Sequence, residues 1–326
     1  MSFNQYTWDL YKQTTIGIEM IKYFSDAGGY VLFKDYCPYA NFIPEDLYND
    51  WLENIYCYGV SDYDHPSSLE EAKDLYISLI TLGIRVEGQQ WLPANDFKNM
   101  LGIIQPMSYV LSQFAPEYFF PYLFLCRIFE LNKIADFFNI DLPNIPKRTD
   151  YKGRCMYYWE LCEVFYLFRK ENGLSPADLW SFLYDFAPNN LPSEKIDMPK
   201  PSQVWFIGGR LYQEDKSLES KFWQSSPETK KGDILVHYET SPISAITCIE
   251  ISLTDGVIDP LFRYYGCIYI GNRINIPHIT LKELQTDEYF FKHPLVRKNF
   301  QGVNGWSVNS ENYSELLRMI KTKGFD

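Results

Sequence analysis

The chain reads as an α+β protein, with a mainly α-helical domain over residues 1–190, a linker over 191–202, and a barrel-like sheet with flanking helices over 203–326. Three observations predict this. In the first half, apolar residues recur at helical spacing behind N-terminal capping signals. From 187 to 202 the composition turns to proline and asparagine, as linkers do. Beyond 202 the apolar residues run in short blocks or alternate with period two. At 326 residues the chain also exceeds what one core usually organises.

The helical elements follow from local chemistry. Ser68, with Glu71 three residues on, forms a capping box ahead of Leu69, Ala72, Leu75, Tyr76, Leu79 and Ile80, and Gly83 stops the helix. Ser175 is an N-cap followed by Pro176 at the first helical position and Asp178 in the first turn. The stretches Tyr109–Phe138 and Tyr151–Lys170 are aromatic-rich, with Gly153 in the first turn of the second as their one glycine, so they read as helices punctuated by Pro116, Pro121, Pro143 and Pro146. Near the start, Gly28 to Phe33 reads as a turn into a short strand.

After the linker, strands are expected at Val204–Ile207, Ile234–Tyr238, Ala245–Leu253 and Gly266–Ile270. In the turn Lys230-Lys231-Gly232-Asp233, glycine supplies backbone freedom and Asp233 caps local amides, a structural role. Thr280 with Glu283 forms another capping box, and Ser310 opens a last helix through Leu316, Leu317 and Ile320 that ends at Gly324.

A chain 46% hydrophobic and 22% charged, without low-complexity tracts, is expected to fold. No apolar run reaches membrane-spanning length. Seven cysteines are scattered without paired spacing, and the amino terminus carries no apolar signal core, so a cytoplasmic, reducing home is expected. The net charge of −12 is uneven: residues 1–200 hold 16 basic against 27 acidic side chains, and residues 201–326 hold 14 against 15. Such a chain disfavours counterion-driven duplex binding but leaves room for a pocket that stacks on one base.

Several chemistries lack their residues. The four histidines lie far apart, and neither a zinc-finger spacing nor a metalloprotease motif occurs, so no metal is expected. No phosphate-binding glycine loop or dinucleotide fingerprint is present, and no cofactor is expected. A nuclease-type acid followed by Glu-x-Lys fails at Glu250-Ile251-Ser252, where serine takes the lysine's place. Cys248 and Cys162, in apolar surroundings, read as small core hydrophobes. Catalytic residues are therefore none, and an enzyme is the weaker expectation.

Trp205, Trp223, Tyr238, Tyr264, Tyr265 and Trp306 offer aromatic walls for a base. Trp205 and Trp306, flanked by apolar residues, read as core. Trp223 precedes Gln224-Ser225-Ser226-Pro227, a loop-like context, and stands apart. The run Val204 to Gly209, then Trp223, Lys230 to Tyr238, the strand from Ile246 to Ile251, Ile276 to Leu281 and Trp306 to Val308 resembles the EVE/YTH group of PUA-like domains over about residues 203–321.

That resemblance implies a PUA-like β-barrel that takes one base into an aromatic pocket. Its pocket residues carry over to Gly208, Gly209, Trp223, His237, Tyr238 and Thr240. Arg210, Lys230, Lys231, Arg263, Arg297 and Lys298 are candidates for nucleic-acid backbone contact, as is Arg273, against the plainer reading of a solvated charged face. The helical half, through Leu111 to Phe119, Leu142-Pro143, Tyr151 and Leu174 to Tyr184, is loosely similar to helical modules of restriction-type proteins. Its basic cluster Lys147, Arg148, Lys152 and Arg154 reads as a solvated interhelix loop.

The leading expectation is a noncatalytic reader of a base, including modified ones, in DNA or RNA through a flipped or single-stranded nucleotide. It would work in restriction or defence, with a partner nuclease supplying any cutting. The rival is a protein-interaction scaffold or homo-oligomer whose PUA-like domain has lost its ligand. A third reading is an enzyme with a degenerate site.

Overall fold

The computed structural model describes residues 3–37, 40–86, 89–191, 200–210, 221–261 and 266–324. The fold is α+β, and the chain divides into two compact units: residues 1–193 with 260–264, and 194–259 with 265–326. Most of the expected linker lies outside the described residues. Among those described, no helix is long and apolar enough to cross a membrane.

The first unit is built on the helices Gln5–Gln13, Thr15–Asp26, Gly29–Tyr36, Glu45–Ile55, Leu69–Leu82, Ile104–Phe114, Ile128–Phe138 and Tyr151–Glu171, with shorter turns between them. A small antiparallel pair is formed by β1 (Ile84–Val86) and β2 (Gln89–Leu92). The Ser68 hydroxyl accepts the Glu71 amide, but the Glu71 carboxylate turns to Ser67, so only half of that capping box forms. Ser175 and Asp178 complete theirs. Tyr151–Glu171 runs through the core and buries Tyr157, Tyr158, Trp159, Leu161 and Phe165.

Two expectations for this unit are corrected. Gly28 to Phe33 is no turn into a strand, because Gly29–Tyr36 is helical. A Cβ on Gly29 would stand 2.8 Å from Leu52 Cδ1 and 3.3 Å from Tyr109 Cβ, so the glycine permits close packing. Nor is Tyr109–Phe138 helical throughout. Between Phe114 and Ile128 the chain leaves the helix at Pro116 and Pro121 yet stays buried through Phe119–Phe124. Its main chain finds side-chain partners instead: Tyr158 donates to the Phe120 carbonyl at 2.8 Å, and the Tyr122 amide donates to Ser108 Oγ at 2.8 Å.

The second unit is a curled sheet of β3 (Val204–Gly209), β4 (Lys221–Ser225), β5 (Ile234–Glu239), β6 (Ala245–Ser252), β7 (Val257–Ile258), β8 (Gly266–Thr280) and β9 (Trp306–Val308). The strand order is β4-β8-β6-β5-β3-β9, with β7 also on β8. Among the described residues β3 and β5 run parallel and the remaining pairs are antiparallel. The 15-residue β8 serves both β4 and β6, and its register against β6 shifts twice.

Alternation divides the side chains between two cores. Phe206, Val236, Tyr238 and Ile246 pack outward against Leu284, Leu295, Leu316 and Ile320 of the flanking helices. Trp205, Ile207, Leu235, Ile268 and Ile270 fill the concave face, with Trp223 packed on them. The Asp233 carboxylate accepts from the Ser202, Gln203 and Lys230 amides, the Ser202 hydroxyl and the Trp205 indole. Gly232 beside it has φ of +92°, which glycine tolerates without strain. The last helix, Ser310–Thr322, is capped by Asn309 rather than opened by Ser310 as cap.

Candidate functional site

The concave face of the sheet gathers the polar chemistry of this unit. β4 and β3 lie four strands apart in sheet order, yet a Cβ on Gly209 would stand 2.5 Å from Trp223 Cζ2. The curl thus lays the Trp223 indole against the end of β3, and glycine at 209 leaves room for it. Trp223 is half-buried and meets the His237 ring with centroids 4.6 Å apart at 63°, an edge-to-face arrangement. The sequence reading of Trp223 as a loop residue is corrected: it pairs with Ile268 in regular antiparallel register.

Behind Trp223 lies a buried polar relay. His237 faces Cys248 across the β5–β6 pair, and Leu235 faces Glu250. His237 Nδ1 stands 3.1 Å from Glu250 Oε2, and Arg273 donates to Oε1 through Nε at 2.8 Å. Since a carboxylate only accepts, Glu250 fixes the ring proton on Nδ1. Nε2 is buried with no hydrogen-bond partner. Burial pushes the Glu250 carboxyl up, but His237 and Arg273 outweigh it and hold it below its usual range. Burial, reinforced by Glu250, pushes the Cys248 thiol up to about 12. Arg273 is exposed and pairs from the outside with the buried Glu250 carboxylate.

Gly209, Trp223 and His237 come together on this face, and Thr240 reaches it through its main chain; Gly208 does not, since it pairs with Tyr238 and a Cβ there would run into Val303 Cγ1 in the outer core. Thr240 donates its amide to the Gly209 carbonyl at 3.2 Å, and Gly208 donates its own to Asn304 Oδ1 at 2.7 Å. Tyr238 is not with them. As the next residue after His237 it points to the opposite face, buried and stacked on Phe300 at 4.0 Å and 3°.

The basic residues are dispersed. Arg210 is exposed and donates to the Ser241 carbonyl at 3.1 Å, and Lys230 sits 3.7 Å from the Asp255 carboxylate. Lys231 is half-buried, while Arg297 and Lys298 are exposed around the end of the helix Pro294–Arg297. Arg263, with Tyr264 and Tyr265, lies outside the described residues. In the first unit, Arg154 is buried and donates to the Pro260 carbonyl at 2.8 Å and the Arg148 carbonyl at 3.2 Å, so the basic cluster there is not simply a solvated loop.

Sequence reasoning missed Cys248, Glu250 and Asn304 as members of this site, and it named Arg273 as a phosphate contact without its pairing to Glu250. Part of the signal was present in Cys248-Ile249-Glu250, where polar groups alternate with an isoleucine on a strand, and His237 falls opposite them once the hairpin register is known.

No family model matches the chain, and no curated protein matches it. Among solved structures, the chain is similar to Rpa0253 from Rhodopseudomonas palustris, solved by NMR, at 13% identity and a TM-score of 0.32, covering 37% of this chain and 94% of that one. It is also similar to Atu2648 from Agrobacterium tumefaciens, solved by X-ray crystallography, at 17% identity and a TM-score of 0.32, covering 38% of this chain and 94% of that one.

Proposed function

We propose that the second unit is a PUA-like reader that holds a single nucleobase of DNA or RNA against Trp223, and that the chain works without a catalytic centre of its own. The observation that carries this reading is the half-buried Trp223 indole, pressed over Gly209 and flanked by the His237 ring. A base needs a flat aromatic wall and a few polar groups at its edge, and stacking on such a wall is sequence-tolerant. The acidic first unit argues for selective capture over general binding, since few cations are available to neutralise phosphates. Any cutting in a restriction or defence setting would then belong to a partner nuclease.

Titration of the full chain with single-stranded oligonucleotides, each carrying one modified base, tests the reading. Trp223→Ala is expected to weaken the best of these by roughly five- to 150-fold, the worth of one stacked base. Affinity indifferent to both the base and the substitution would overturn it.

A further inference from the structure

The concave face also brings His237 of β5 to Cys248 and Glu250, which alternate along β6. His237, Cys248 and Glu250 each offer one donor atom, all within 4.8 Å of one another, and all three side chains are buried. The geometry points to a transition-metal site at His237, Cys248 and Glu250, suited to zinc or cobalt in the divalent state.

Three features support it. The 3.1 Å separation of His237 Nδ1 and Glu250 Oε2 is the spacing of two ligands on one ion. At about 2.0–2.2 Å from each, that ion would see them at roughly 95–100°. Arg273 holds the other oxygen of Glu250, the orienting role that an outer partner plays for a coordinating carboxylate. The donor set of one thiolate, one imidazole and one carboxylate suits zinc or cobalt and disfavours magnesium and calcium. The charges also balance, because a divalent ion offsets one thiolate and one carboxylate, leaving Arg273 as the outer cation.

Binding is balanced in protons. The Cys248 thiol loses its proton to solvent as the metal–sulfur bond forms, and the ring proton of His237 moves from Nδ1 to Nε2, the nitrogen that has no partner. Three protein ligands leave a fourth position for water or another small donor. One released proton makes affinity rise with pH, about tenfold per unit while the thiol remains protonated.

The test is a cobalt titration of the full chain under reducing conditions, on a Cys57→Ser background that removes an exposed thiol. One equivalent is expected to bind with a thiolate-to-cobalt charge-transfer band, and zinc is expected to displace it. Cys248→Ser should abolish the band, whereas Cys267→Ser, at another buried cysteine, should leave it. Arg273→Ala keeps all three ligands and is expected to weaken binding ten- to 100-fold, which keeps the proposal testable should Cys248→Ser not fold. Absence of saturable cobalt or zinc binding would overturn the assignment, as would a band that survives Cys248→Ser in folded protein or affinity unchanged in Arg273→Ala. The outcome is separable from base reading, because it is scored without any oligonucleotide.

Discussion

Asp233 shows how much one side chain organises. Burial alone would raise its carboxyl, but the Lys230 amide, the Trp205 indole and Ser202 outweigh it and hold the group below its usual range. Five donors converge on it, so Asp233→Ala strands the buried Trp205 indole N–H and takes a shared acceptor from the partly buried Ser202, Gln203 and Lys230 donors. The expected loss is on the order of 3 kcal/mol, read as a lower urea midpoint with unchanged slope. Because the folded carboxyl titrates below the unfolded one, its contribution is complete well above about pH 4 and fades as pH falls through the folded value. Stability measured down an acid series should therefore fall less steeply in Asp233→Ala than in the natural chain. At this scale the sequence was informative where chemistry is local: Gly-Asp before a strand announces a capped turn. It was silent on Tyr238 and His237, adjacent residues whose separate faces depend on which way the strand is set in its sheet.

Among elements, the Thr280–Glu283 capping box was legible because all its parts lie within four residues. Thr280 and Glu283 satisfy each other's backbone donors at the start of the helix Leu281–Thr286, and Lys323 holds Glu283 with its carboxyl at about 2. Thr280→Ala is expected to cost about 1 kcal/mol, observable as a shifted denaturation midpoint. Strands β3, β5 and β6 were equally legible from their apolar runs. β4 was not: Lys221-Phe222-Trp223-Gln224-Ser225 is short, mixed in polarity and followed by Pro227, and it is a strand because β8 provides hydrogen-bonding partners for it. The buried extended stretch between Phe114 and Ile128 escaped for a similar reason, since tyrosine and serine side chains from elsewhere in the chain satisfy its main chain.

On the scale of the whole molecule, charge sets the expected manner of binding. A chain of net charge −12 whose candidate phosphate contacts are scattered should show weak salt dependence. If the base-reading proposal holds, log affinity against log salt should have a slope shallower than about −2 for single-stranded ligands, and a slope of about −5 or steeper would indicate backbone-driven binding instead. The division into a helical and a strand-rich half was readable from the change in periodicity near residue 200. The candidate site was only partly readable, since Trp223, His237, Glu250 and Arg273 come from four strands and meet only through register and the curl of the sheet.

The curl that sets Trp223 against Gly209 has a kinetic consequence. β4 and β3 are neighbours in sequence but occupy distant places in the sheet, so their meeting must wait for β5, β6 and β8 to be laid between them. The candidate site is therefore a late product of folding, and a nascent chain released before β8 has paired would carry its residues while lacking the site itself.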